Sequence, residues 1–336
     1  MSRAEPKWGV IATSWIAENF VIPAIRACGG EVVAVLSRDL VRARAYAAKN
    51  EIARSYDQLP AFLADSEIEA VYVSSTNQAH RDHAIACAQS GRAVLCEKPL
   101  ATSLADGKAI VAACRDAGVV LATNHHIRNA PSIRLMRGLI RDGAIGRPLA
   151  ARVFNAFGLP DFLQTWRLDS PETGAGVVLD VTTHDVDTLR FLFDDEIESA
   201  VAVTSQQGMA HGAVEDSVMG VLTMQTGLVV SFHDAYTCPG GLTGLEVHGD
   251  EATLIGTNVL WQNPEGEVAI RRDGRFETFD LPDQDNLYER GIRAFHGAMA
   301  GEGSPMVSGE DGVRSLAVAL AVKQSGRTGC RVQVEY

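Results

Sequence analysis

Over its first 124 residues the chain alternates short apolar runs, rich in β-branched residues, with segments of helical periodicity. That alternation leaves few folds open. The runs are WGVIA (8–12), EVVAVLS (31–37), AVYVSST (70–76), RAVLCEK (92–98) and VVLAT (119–123). Helix-forming stretches such as VRARAYAAKN and AHRDHAIACAQSG fill the gaps. Strands buried on both faces read as continuous apolar runs, and parallel neighbours need helical crossovers, so the pattern predicts βαβ units in a doubly wound parallel sheet. Gly91 and Gly118 fall where crossover helices must stop before the next strand.

After about Asn124 the rhythm changes. The pattern predicts a helix over 131–142, a strand over 148–157 and a helix over 181–193. The strand-like runs SAVAVTSQ, SVMGVLTMQ, LVVSFHDAY, TGLEVHGD, ATLIG and EVAIRR follow, then helices at about 286–300 and 309–325. Closely spaced strands with few helices predict an α+β domain around a large, mostly antiparallel sheet. The 336 residues leave room for two cores. The expected division is a doubly wound parallel-sheet domain over 1–124 and an α+β domain over 125–336, with the C-terminal helix packing back on the first.

A formal charge of −12 argues against a nucleic-acid surface. Six dispersed cysteines without a C-x-x-C pair read as thiols of a reducing compartment. The first strand begins near Lys7, and Glu18 and Asn19 interrupt the apolar stretch behind it. Neither a signal peptide nor a membrane span is expected, and the cytoplasm is the expected location.

The turn after the first strand, residues 12–17, reads A-T-S-W-I-A. In a dinucleotide-binding turn three small residues serve the tight turn, the approach to the pyrophosphate and helix–strand packing. Here Ala12, Ser14 and Ala17 stand in those places. Ala17 is compatible, Ser14 adds a hydroxyl that could reach a phosphate, and Ala12 forfeits glycine's access to positive φ. A plain βα turn stays open on this stretch alone. The second strand ends in Ser37-Arg38, with Arg42 one helical turn on. A hydroxyl and two guanidiniums suit a 2′-phosphate where an NAD site would place a carboxylate. If a dinucleotide binds, NADP(H) is the expected form.

LCEKPLA (95–101) closes a strand at the sheet's carboxyl edge, where ligands bind in open α/β folds. Pro99 keeps Lys98 extended, and Glu97 stands beside it to pair with Lys98 or a ribose. In LDVTTHDVDTLRF (179–191), Asp180 and His184 share a helix face at i and i+4, with Asp187 a turn further. A carboxylate orienting an imidazole makes a proton donor near neutral pH. The spacing of Asp180, His184 and Asp187 is not that of a recognised metal site, and no metal is expected.

The modified phosphate turn, STNQAH (75–80), CEKPL (96–100) and D-x-x-x-H-D (180–185) together resemble the glucose–fructose oxidoreductase/inositol dehydrogenase family over nearly the whole chain. The resemblance implies a Rossmann domain with Thr13, Ser14, Trp15, Ile16, Ser37 and Arg42 at the adenosine and phosphate end of NADPH. It places Ser75, Asn77, His80, Glu97, Lys98 and Asn124 along the ribose and nicotinamide, and brings Trp166 and Tyr288 from the second domain. Lys98, Asp180 and His184 match the family's catalytic trio. His125, His126, Trp166 and Arg167 are expected to meet the substrate, a small polyhydroxylated ketone or sugar. Members usually keep glycine where this chain has Ala12, which bears on cofactor affinity. The expected activity is NADPH-dependent ketone reduction. Oxidation of a sugar or inositol hydroxyl, or non-catalytic sensing, are the alternatives. Two copies are expected to pair through the second sheet, without nucleic acid or membrane.

Overall fold

In the computed structural model, which describes residues 6–263, 266–281 and 286–336, the N-terminal runs become strands. These are β1 (Lys7–Ile11), β2 (Glu31–Leu36), β3 (Arg54–Tyr56), β4 (Ala70–Val73), β5 (Ala93–Cys96) and β6 (Leu121–Thr123). They lie in the order β3-β2-β1-β4-β5-β6 with every pairing parallel. Strand order reverses between β1 and β4, and in such sheets ligands sit at the carboxyl ends beside that reversal. β3 is an addition to the expected set. It has three half-buried residues at a sheet edge, too few to show a period.

The chain divides into two units, Met1–His125 with Tyr288–Val313, and His126–Leu287 with Arg314–Tyr336. A single cut after residue 124 therefore misses a returning segment. Helix Leu287–Met299 and the stretch behind it bind the first sheet by specific contacts. Trp8 Nε1 meets His296 Nε2 at 3.1 Å, and Thr123 bonds to the carbonyls of Val307 and Ser308.

The second unit is a sheet of β7 (Pro148–Ala156), β8 (Ile197–Ser205), β9 (Ser217–Met224), β10 (Val229–Ala235), β11 (Thr243–Gly249), β12 (Thr253–Thr257), β13 (Glu267–Arg272), β14 (Arg275–Phe279) and β15 (Val332–Gln333). Their order is β14-β13-β12-β11-β7-β10-β9-β8-β15. Only β7 and β10 pair in parallel, so the sheet is mostly antiparallel, as the strand spacing implied. One face buries Val153, Val218, Leu222, Val230, Phe232, Leu245 and Val247. Helix Pro131–Arg141 packs on β12 and β13, the turn Val178–Thr182 packs on β10, and Ser325 of helix Gly309–Thr328 bonds to Ala202 N. The opposite face leaves Val201, Val203, Met219, Val221 and Val229 exposed.

Two helices open with a π turn: Ala17–Val21 after the β1 turn, and Val178–Thr182 ahead of helix Thr183–Phe193. Such turns are rare and concentrate at functional segments. Among the described residues no helix is long and apolar enough to cross a membrane.

Candidate active site

The turn after β1 keeps the backbone of a glycine turn without the glycine. Ala12 has φ +82°, the left-handed region that an L residue adopts at a cost, and its N–H bonds to Leu36 O at 2.9 Å. Ser14 does not present a spare hydroxyl. Its Oγ accepts from Ala17 N at 3.1 Å and donates to Ser74 Oγ at 2.9 Å, which in turn donates to Ile11 O. The expected phosphate donor is thus a helix cap, and phosphate binding at this turn is left to backbone N–H groups. Trp15 is exposed and packs edge-on against Phe20.

At the end of β2, Ser37 is buried whereas Arg38 and Arg42 are exposed. Among the described residues neither guanidinium makes an ion pair. Asp39, unremarked in the sequence reading, lies between them. Its carboxylate caps helix Leu40–Lys49, accepting from Val41 N at 2.8 Å and Arg42 N at 3.3 Å. A carboxylate spent on a helix N-terminus leaves the surface beside it to the two arginines. These residues fit a dinucleotide carrying a 2′-phosphate.

At the carboxyl edge, Glu97 is buried and accepts from the Tyr72 hydroxyl, from Asn124 Nδ2 at 2.6 Å and from Lys98 N at 3.2 Å. Burial raises its pKa against the pull of Lys98 and these donors. Lys98 is half-buried, and its bond to Pro99 is cis. His80 requires a correction. It is 0% exposed, and its ring bridges Pro99 O at 2.9 Å and Ser75 O at 3.0 Å, so it shapes the Lys98 loop and does not line a ligand. Asn77 is also buried, while Ser75 Oγ pairs with His83 Nδ1 at 2.9 Å. Tyr288 belongs to this first unit, not the second, and lies buried against Phe20 with ring centroids 5.1 Å apart.

In the second unit, helix Thr183–Phe193 follows directly on the π turn Val178–Thr182. Within residues 174–190 every residue is buried except Asp180 and His184. That pair is therefore the open face of an otherwise enclosed segment. Asp180 Oδ2 accepts from Tyr236 Oη at 2.8 Å and lies 3.3 Å from Arg167 Nε. Arg167 in turn stands 4.9 Å over the ring of Trp166, so this arginine orients Asp180 before it can serve a substrate. His184 packs edge-on against His126, ring centroids 4.9 Å apart. His125 and His126 are both buried, which corrects the expectation of two open donors. Asp187 is not on the open face either. It is 1% exposed and bound by Arg128, whose Nε lies 2.7 Å from Oδ2.

The segment's start is fixed as well. The Glu215 carbonyl accepts from Val177 N at 3.1 Å, and its carboxylate lies 3.5 Å from Lys323. Its carboxylate fills the space a Cβ on Gly176 would need, where φ is +107°. A carboxylate at a helix N-terminus is favourable.

Comparison with known proteins decides the lineage. A model of the oxidoreductase family with an NAD-binding Rossmann fold matches residues 7–125, and the GFO/IDH/MocA C-terminal domain matches 133–255. The chain is 49% identical to 1,5-anhydro-D-fructose reductase of Ensifer adhaerens over 98% of each chain. The chain belongs to the GFO/IDH/MocA oxidoreductase family. D-xylose 1-dehydrogenase (NADP(+)) 2 of Haloferax volcanii is 30% identical over 98% of this chain and 99% of its own. Among solved structures, aldose-aldose oxidoreductase from Caulobacter crescentus, complexed with glycerol, superposes with a TM-score of 0.90 at 22% identity, covering 98% of this chain and 99% of that one. This last likeness carries the fold.

Seen as a GFO/IDH/MocA member, the chain has partners that pattern reading passed over. Tyr72 and Tyr236 were visible only as apolar positions within AVYV and LVVSFHDAY, yet each hydroxyl meets a carboxylate. A buried phenol needs a partner, and that rule was the available signal.

Proposed function

We propose that this protein is a cytoplasmic NADPH-dependent reductase of a small sugar ketone, converting 1,5-anhydro-D-fructose to 1,5-anhydro-D-mannitol. The 49% identity to 1,5-anhydro-D-fructose reductase across 98% of both chains carries the reading. The chemistry of the open pair supports it. His184 can give a proton to the forming alkoxide near neutral pH, and Asp180 stabilises the imidazolium that precedes transfer. Tyr236 and Arg167 hold Asp180 for that task. Lys98 supplies fixed positive charge for the developing negative oxygen. NADPH, when bound, supplies the hydride. Residues Thr13, Ser14, Trp15 and Ile16 hold its diphosphate by backbone N–H groups, and Ser37, Arg38 and Arg42 hold the 2′-phosphate. Trp166 offers an aromatic face to a sugar ring.

Mixing the protein with NADPH and 1,5-anhydro-D-fructose should consume the nicotinamide absorbance and yield the mannitol epimer by NMR. No consumption, with tight NADPH binding, would refute the substrate. NADH should serve poorly, and Ser37→Asp should shrink or reverse that preference. Equal use of both cofactors by the unaltered protein would refute the 2′-phosphate assignment. Oxidation is the second reading, favoured by the 30% identity to an NADP(+) xylose dehydrogenase. Faster turnover of D-xylose with NADP(+) than of the ketone with NADPH would select it.

A further inference from the structure

Behind Asp180 and His184 lies a second acidic pair that the proposed reaction does not use. Asp185, next to His184, and Asp234 on β10 are 1% and 0% exposed, and Asn155, which stands opposite Asp234 in register, donates to Asp185 and so brings the two carboxyls together. A hydrogen bond between them needs a proton on one of them, because an ionised carboxyl can only accept. The surrounding donors leave a place for it. Asp185 Oδ1 accepts from Asn155 Nδ2 at 3.1 Å, and Asp234 Oδ2 accepts from Thr182 Oγ1 at 2.5 Å. The other two oxygens, Asp185 Oδ2 and Asp234 Oδ1, are buried and meet no other donor among the described residues.

Among the described residues no cation offsets the charge. Opposite Asp234 in register stand Asn155 on β7 and Val218 on β9. The π turn offers the neutral Thr182, and Arg128 is bound to Asp187 further along the helix. For each acid the ionisable group that acts on it is the other. Two bare carboxylates in contact inside such a site would repel strongly, as in other paired acids, where one proton is shared.

We propose that Asp185 and Asp234 share one proton and form a latch that fixes the π turn Val178–Thr182, and with it Asp180 and His184, against β10. A second tie reinforces the latch from the same strand end. Asp234 accepts from the Thr182 hydroxyl, and Tyr236, two residues on, donates to Asp180. Asp185 and Asp234 are thus positioning residues. Calling the groups they position catalytic rests on the proposed function, whereas the latch itself does not. Burial pushes Asp234 up to about 6 and Asp185 well above its ordinary value, so the pair enters neutral solution holding its proton. Alkali removes that proton, sets two charges in contact and loosens the turn.

Asp185→Asn tests the latch, because the amide donates to Asp234 as the protonated carboxyl does but cannot titrate. Unfolded carboxyls ionise near pH 4. Above that pH the unaltered protein must take up one proton on folding, so its raised acid contributes stability at low pH and loses it as pH rises. From urea unfolding, the folding constant of the unaltered protein relative to Asp185→Asn should fall about tenfold per pH unit from about pH 5 until the pair itself titrates. A pH-independent ratio overturns the shared proton. Asp234→Asn should behave alike, its amide donating to Asp185.

Should neither variant fold, the infrared spectrum of the unaltered protein at about pH 8, far above ordinary carboxyls, decides. A protonated carboxyl band that persists in Glu97→Gln and in Glu215→Gln supports the latch, and its absence overturns it. The positioning role has its own readouts. Hydrogen exchange at residues 178–182 should accelerate with alkali beyond the ordinary base-catalysed rise in the unaltered protein and not in Asp185→Asn. The kcat for ketone reduction should fall in parallel, KM for NADPH unchanged, and Asp185→Asn should restore what Asp185→Leu loses. Parallel exchange and pH profiles for the unaltered protein and Asp185→Asn overturn the role. A tenfold-per-unit stability ratio in a protein without reductase activity would leave the latch standing and remove the proposed function.

Discussion

Ala12 shows what a single side chain costs. A Cβ at φ +82° is strained by roughly 1–2 kcal/mol, while glycine there gives back part of the gain through a freer unfolded chain, about 0.4–1 kcal/mol. Ala12→Gly should therefore leave the fold intact and raise stability by up to about 1.6 kcal/mol, read as a higher melting temperature. Its NADPH affinity should not weaken by more than tenfold, about 1.4 kcal/mol. A less stable variant would contradict the strain. The sequence pointed to this position because only the missing glycine makes it unusual. It could not show that the hydroxyl of Ser14 is consumed by Ala17 and Ser74, or that His80 is enclosed between two carbonyls, since both depend on how separate elements, the β1 turn with Ser74 and His80 with Pro99, come together in the fold.

Helix Thr183–Phe193 and its π turn carry the proposed chemistry because almost everything else on them is tied down. The deepest tie is Arg128 to Asp187, both buried. Removing the guanidinium would leave the buried carboxylate to the Ser315 hydroxyl at 3.3 Å and Arg190 at 4.0 Å, so Arg128→Ala should cost about 3 kcal/mol in urea unfolding. A loss under 1 kcal/mol would mean that Asp187 finds water or a proton at little cost. The i, i+4 spacing of Asp180 and His184 was legible, and so was the helix. The π turn was not, because one extra residue in a turn leaves the apolar pattern intact. Nor was the fate of Asp187, which spacing alone puts on the same stripe as His184. Long buried strands were readable from their β-branched runs, whereas β3, β14 and β15 are short or exposed edges whose residues follow no burial period.

At the scale of the whole chain, two domains and their order followed from the change of rhythm near Asn124. The return of Tyr288–Val313 to the first unit did not, because an amphipathic helix does not announce which sheet it will cover. The second sheet buries one face and leaves Val201, Val203, Met219, Val221 and Val229 bare on the other, with Val201 opposite Val221 and Val203 opposite Met219. Contiguous apolar surface of this kind is normally covered by a partner. Sedimentation at micromolar concentration should give a dimer mass, and Met219→Asp should give monomers. A monomer for the unaltered protein would contradict the pairing. The central claim is that His184 supplies the proton in a ketone reduction, and single-turnover assay of His184→Ala tests it most directly. Turnover with 1,5-anhydro-D-fructose should fall by roughly 10²–10⁴-fold while NADPH binding stays close to unchanged. Near-normal turnover in that variant would contradict the assignment and hand the proton to water or to another residue.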